Sequence, residues 1–383
     1  MNAELISERL VVGKEKQIDL DQRSQKVRTL VEPDAEEIYE YFIEKGLSDG
    51  LPIIPPTEER VERMLRYSLK DPGEILIQIP NPRGAPITVE KLAISAVMAG
   101  CKPEYFPLLV AAIEAMGEPE FHLSELHAAT FPCSITIVFS GPLADEVGIR
   151  SDSGCLGPGF RANATIGRAV RLAMICILGI IPGITDGATL GSPAKYSFCF
   201  AENVKQSPWQ PLHVDLYDSA TTSVTVLCTE GPQNVVDHRH GTAEDILRAI
   251  AIASTSLAAN NAYWPCSLLV ALGLDHARIV AASGFTKDDI KWFIYENARN
   301  SLDDIKRGGI VEIELNRPKS HYSSQGEMMP CVRNPEDVLV VTAGGSGPMS
   351  MIARPWGLSF AVHRPVVLKG GNIAYRIADF LRE

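Results

Sequence analysis

Apolar residues at 38, 41 and 42, with acids early in DAEEIYEYFIEKGL (34–47), predict an amphipathic helix that stops near Gly46. The turn and proline-stiffened segment SDGLPIIPP (48–56) follows. Thr57 then heads TEERVERMLRYSL, with Glu58 and Glu59 in the first turn, where the helix dipole favours acids. ILIQIP (75–80) predicts a strand, Thr88 opens the helical TVEKLAISAVMAG, and Pro103 opens PEYFPLLVAAIEAM. SITIVFS (134–140), SVTVLCT (223–229), LLVALG (268–273) and DVLVVTAGG (337–345) carry the β-branched and apolar content of strands. Helices alternate with strands throughout, which predicts an α/β protein.

The pattern also repeats. FPCSITIVFSGPLADEVGI (131–149) resembles WPCSLLVALGLDHARIVAASGF (264–285): an aromatic residue, Pro-Cys-Ser, an apolar strand, then a segment ending near a glycine. Each copy follows a helix that starts at a threonine with glutamate two residues on, Thr88/Glu90 and Thr242/Glu244. The spacing predicts two related α/β halves, a diverged internal duplication around a central cleft. The boundaries are an N-terminal arm (1–33), a first half (34–235) and a second half (236–383). Chance likeness of two buried strands is the competing reading.

Composition narrows the partners. The 383-residue chain carries a net charge of −11, which excludes a general nucleic-acid or anionic-membrane binder. The N-terminus MNAELISERLVVGKEKQ has charges where a signal peptide needs an apolar run. The longest apolar stretch, 172–181, is broken by Gly179 and falls short of the ~20 residues of a membrane span. The eight cysteines are scattered without a CxxC pair, so free thiols and a cytoplasmic location are expected. The polar arm predicts a homo-oligomer.

Against this acidic background, GPGFRANATIGRAVRLAM (157–174) places three arginines at a glycine turn that leads into a helix. Gly157 and Gly159 open backbone conformations closed to other residues, and Asn163 or Thr165 is placed to cap the helix. Free N–H groups at such a start, with Arg161 and Arg168 seven apart on one helical face, predict a carboxylate or phosphate site. The competing reading is a turn before a core helix with structurally paired arginines. TAGGSGPMSM (342–351), after a strand, is a second glycine loop, in which Gly344, Gly345 and Ser346 are candidates to line the same site.

Candidate reactive groups are fewer. Cys133 and Cys266 of the two Pro-Cys-Ser motifs stand at strand mouths, and Cys155 lies two residues before the first glycine loop. Each is also a candidate core thiol. KYSFCFAENVKQSPWQPLHVD (195–215) carries Glu202 and His213 as candidate acid/base groups, or is a surface loop with a Trp209 anchor. His238 and His240, two apart, join His213 as a candidate metal set without a fixed further ligand.

SDGLPIIPPTEERV (48–61), VEKLAISAVMAGCKPEY (89–105), LGPGFRANATIGRA (156–169), KYSFCFAEN (195–203) and SPWQPLHV (207–214) resemble a bacterial family associated with small UGSC-motif proteins (selenocysteine or cysteine, then Gly-Ser-Cys). The resemblance covers the first 215 residues well and the rest loosely. It implies a small thiol or selenol redox partner. This chain has no CGSC string; SGCLG and PCSL come nearest.

Together these features predict an enzyme that holds a small anionic substrate between its halves and uses thiol-dependent redox or lyase chemistry. The alternatives are a metal-dependent hydrolase or lyase built on His213, His238 and His240, and a non-catalytic scaffold for a redox partner. No cofactor is firmly implied, a metal ion being the one candidate.

Overall fold

A computed structural model describes residues 34–382 apart from Pro82, residues 238–240, Ala258 and residues 308–327. The expected arm and the His238/His240 pair lie outside the described residues. Helices of eight residues or more are α1 (Ala35–Glu44), α2 (Glu58–Leu65), α3 (Val89–Ala99), α4 (Phe106–Met116), α5 (Arg161–Cys176), α6 (Ala243–Ala253), α7 (Leu274–Ala282) and α8 (Lys287–Asn297). The principal strands are β1 (Ser134–Ser140), β2 (Cys199–Ala201), β3 (Thr222–Thr229), β4 (Gln233–Val236), β5 (Leu268–Leu272), β6 (Val338–Thr342), β7 (Met349–Ala353) and β8 (Val362–Val366). Among the described residues no helix is long and apolar enough to cross a membrane.

Local sequence sets the helix starts. The Thr88 hydroxyl accepts the Lys91 N–H at the head of α3, and Thr242 and Asp245 form a reciprocal capping box on α6. Thr57 stands at the cap position of α2, but its side chain makes no capping bond. The expected strands at 134–140, 223–229, 268–273 and 337–345 are strands, with ends moved by a few residues.

Two four-stranded sheets carry the fold, ordered β2-β1-β3-β8 and β6-β5-β7-β4. In the first, β1 runs parallel to β2 and antiparallel to β3, and β3 runs antiparallel to β8. In the second, β5 runs parallel to β6 and antiparallel to β7, and β7 runs antiparallel to β4. The pairing series is the same in both. The last strand of each half crosses over: β4 joins the second sheet and β8 the first. Val362, Val366, Ile377 and Phe380 accordingly belong to the first core. A cut at 235/236 therefore divides the sequence but not the packed units.

Alternation along the strands builds four layers. Ile137 and Phe139 of β1 pack with α3, α4 and α5, whereas Val138 faces the other sheet. There it joins Phe200 and Leu227 against Leu269, Val341 and Met351. Val270 and Val340 on the far face pack with α6, α7 and α8. Each large side chain sealed this way, such as Phe139 or Phe200 at 0% exposure, contributes about 1.5–3 kcal/mol. A packed apolar layer thus lies between the sheets, where a cleft was expected.

Candidate functional site

Helix α5 begins at Arg161, after Phe160, which gives no side-chain cap. Asn163 and Thr165 are therefore inside the helix and do not cap it. Asn163 Nδ2 donates to the Arg150 carbonyl at 3.0 Å and the Cys155 carbonyl at 3.0 Å, and its Oδ1 accepts the Arg150 N–H at 2.9 Å. That clamp uses the whole amide, so Asn163 pins the preceding loop and has nothing left for a ligand. Thr165 Oγ1 donates back to the Arg161 carbonyl at 2.7 Å. Gly157 donates to the Gly154 carbonyl at 2.7 Å in a tight exposed turn, and Gly159 has φ 108°. These residues shape the turn.

The three arginines have three fates. Arg161 is exposed and donates from Nε to the Gly100 carbonyl at 2.9 Å. Arg168 forks onto Asp49, Nε to Oδ2 at 2.7 Å and Nη2 to Oδ1 at 2.8 Å, and also reaches the Leu51 and Pro52 carbonyls. Its Nε and Nη2 hydrogens go to the SDGLP turn and its charge is matched by Asp49, where an anion ligand was expected. Arg171, one turn further on, donates to Asp186 Oδ2 at 2.7 Å.

Asp186 is the centre of a pocket that the sequence did not single out. Lys195 Nζ lies 2.8 Å from both of its carboxylate oxygens, and the Ala188 N–H reaches Oδ1 at 3.2 Å. Burial alone raises the Asp186 pKa, but the hydrogen bonds and charges of Lys195 and Arg171 outweigh it, and the carboxyl is held below its ordinary value. Around this floor the segment 182–196 folds into a pocket of about 380 Å³ against α5, lined also by Asp49, Ile175, Leu190, Ser192 and Tyr196. Gly167, on the same helix, makes the close packing possible: a Cβ there would lie 2.3 Å from Ser197 Oγ.

The second glycine loop packs against residues 151–153, just ahead of the first glycine loop. Gly344 donates to the Ser151 carbonyl at 2.8 Å, and Gly345 supplies a carbonyl to Leu274 and lies against Ser153, where a Cβ would approach to 2.8 Å. Ser346 is exposed. Cys155 sits beneath this junction near the Gly344 N–H, yet burial, the larger influence, pushes its thiol up to about 11.

Glu202 and His213 also come together, through a residue the sequence reading passed over. Ser140, at the end of β1, donates to Glu202 Oε2 at 2.5 Å and lies 2.9 Å from His213 Nδ1. The Leu212 N–H adds a second bond to Oε2 at 2.8 Å. Lys287 of α8 lies 3.8 Å from Glu202 Oε1 and 2.8 Å from Asp215 Oδ2. Burial raises the Glu202 pKa and lowers that of His213. Ser140, Glu202 and His213 are 0%, 2% and 5% exposed, so the group is a sealed network. The Trp209 Nε1–H donates to the Phe285 carbonyl at 2.8 Å, making the 203–213 loop an anchor on the second half.

All eight cysteines are buried. Cys133 hydrogen-bonds Cys228, and Cys266 lies within electrostatic reach, so both Pro-Cys-Ser motifs converge on one strand end. Burial drives the Cys228 thiol well above its ordinary pKa. None of Cys133, Cys155 and Cys266 is exposed for the nucleophilic role expected of it. Among the described residues no three His, Cys, Asp or Glu side chains are grouped to hold a metal ion, and His213 is engaged with Ser140.

No known family model matches the sequence, and no curated protein does. The geometry therefore has to speak for itself. Asp49 had a visible signal, since SDGLP is a turn with one acid, and Lys195 stood in the polar loop 195–215; Asp186 had none, because its partners lie 15 and 9 residues away across an irregular loop.

Proposed function

We propose that the chain is an enzyme acting on a small anionic molecule, and that the anion sits in the α5 pocket and not at the Arg161 turn. One observation carries this reading: Arg171 and Lys195 converge on a single buried carboxylate, Asp186, at the floor of a pocket of about 380 Å³. With the neighbouring Arg168–Asp49 fork, three cations face two carboxylates, which leaves one positive charge in a chain of net −11. A cavity of that size with a few converging polar groups is the usual form of a small-molecule site.

Two charge-assisted donors at one anion stabilise negative charge that develops on it, which suits lyase or isomerase chemistry. Thiol chemistry has no comparable support, because the thiols are buried and those of Cys101, Cys155, Cys176 and Cys331 are pushed up to about 12, 11, 12 and 12 by burial. The test is calorimetric titration of small anions into the full chain and into Arg171→Gln, Lys195→Met and Arg161→Gln. The reading expects the first two to lose binding and the third to keep it; loss in Arg161→Gln alone returns the site to the glycine turn.

We also infer that the two sheets are diverged copies of one unit that have exchanged their last strands. Support comes from the shared pairing series and the reciprocal crossing of β4 and β8. Separately produced segments 34–235 and 236–383 are then expected to fold only on mixing. Independent stable folding of both contradicts the exchange.

A further inference from the structure

The lining of the same pocket says more about its occupant. Its polar groups lie deep: the Arg171, Asp186 and Lys195 side chains are 10%, 5% and 13% exposed, and Asp49 is 2% exposed. Its mouth is apolar. Leu190 is 97% exposed, Tyr196 is 50% exposed, and Pro182 and Pro193 stand beside them, while Ile175 continues the apolar wall inward. A leucine almost wholly in water at the rim of a charged pocket gains nothing for folding. It does gain from contact with the apolar part of a ligand whose head is below.

Charge narrows the head group. Arg168 is spent on Asp49, and Asp186 takes up one of the two charges of Arg171 and Lys195. One positive charge is left, which matches a singly charged anion. A phosphate dianion or a tricarboxylate would bring further negative charge against Asp49 and Asp186 with nothing to offset it. Arg171 and Lys195, both within 2.8 Å of the same Asp186 oxygen, suit the two oxygens of one carboxylate.

On the reading of the pocket as the anion site, we infer that its ligand is a monocarboxylate with an apolar body, the carboxylate bound by Arg171 and Lys195 and the body lying under Leu190 and Tyr196 against Ile175. The ligand enters head first, with its tail in contact with the rim.

The experiment is a titration of the full chain with acetate, butanoate, hexanoate and phenylacetate, with inorganic phosphate, citrate and hexylamine as controls. It is repeated on Leu190→Ser, an exposed substitution that leaves the core untouched, and on Arg171→Gln. The inference expects affinity to rise about fourfold for each added methylene until the pocket is full. It expects Leu190→Ser to flatten that rise without weakening acetate, and hexylamine not to bind. Phosphate or citrate binding more tightly than hexanoate overturns the monocarboxylate while the anion reading stands. Equal weakness of every anion in the native chain and in Arg171→Gln overturns the anion reading itself. A Leu190→Ser chain that changes its sedimenting mass and keeps the full methylene slope makes Leu190 a subunit contact, which also overturns the inference.

Discussion

The two ends of helix α5 carry the same residue type and do opposite things. At its start Arg161 reaches a backbone carbonyl from an exposed position, beside a turn that Gly157 and Asn163 each close through backbone partners. Ten residues on, Arg171 enters a pocket where a lysine and a buried aspartate already meet. Between them Arg168 is locked to Asp49. The lesson is that a guanidinium's role follows from which carboxylate the chain folds back to it. Proximity to a glycine turn does not decide it. An arginine with no carboxylate is solvated, one with a matched carboxylate is structural, and one sharing a carboxylate with a second cation can still attract an anion.

The largest effect expected from breaking this comparison is at the locked pair. Asp49→Ala leaves Arg168 uncompensated in a site where its side chain is 15% exposed, and should cost about 3–5 kcal/mol in denaturant unfolding. A loss no greater than that of a surface substitution would show the fork to be dispensable. Next comes Arg171→Gln, which removes charge-assisted bonds of about 1.5–3 kcal/mol and should weaken anion binding by tenfold or more. Arg161→Gln should leave both stability and anion binding unchanged, within about 0.5 kcal/mol.

Acid sharpens the contrast further. The Asp186 carboxyl is held below its ordinary value of 3.8, so its stabilisation is complete above that value and disappears as pH falls through the lower folded pKa. Asp186→Asn should lose that part of the acid-unfolding slope, and an unchanged slope would mean that the carboxylate is not paired. Glu202 has the opposite sign: its pKa is raised from 4.5, so ionising it destabilises the fold as pH rises. Glu202→Gln should raise the melting temperature at neutral pH and lose its advantage near pH 4. The smallest effect concerns the thiols. Cys155, with its thiol at about 11, should react with iodoacetamide at neutral pH far more slowly than a free cysteine, with or without anions.

Most of the fold was legible in the sequence. β1, β3, β5 and β6 announced themselves by apolar, β-branched runs, and α3 and α6 by their threonine caps. The placement of β4 in the second sheet and β8 in the first was not legible, because the QNVV and VHRPV stretches carry no mark of which sheet they join. At the site, the sequence drew the eye to the start of helix α5, whereas the proposed pocket lies further along the same helix. Asn163 looked like a cap because the helix start was placed too late; with the start at Arg161 its amide turns back to hold the 150–155 loop. Cys133 and Cys266 were read as strand-mouth thiols, and both are buried in the neighbourhood of Cys228. Asp186 sits in an irregular segment without periodicity, where only tertiary contact reveals a partner.

The most direct test is anomalous diffraction from crystals of the full chain soaked in bromide, which reports where a monovalent anion settles. The account predicts a peak between Arg171 and Lys195, inside the pocket beside Asp186, and its loss in Arg171→Gln. A peak confined to the Arg161 end of α5, with the pocket empty, would contradict it.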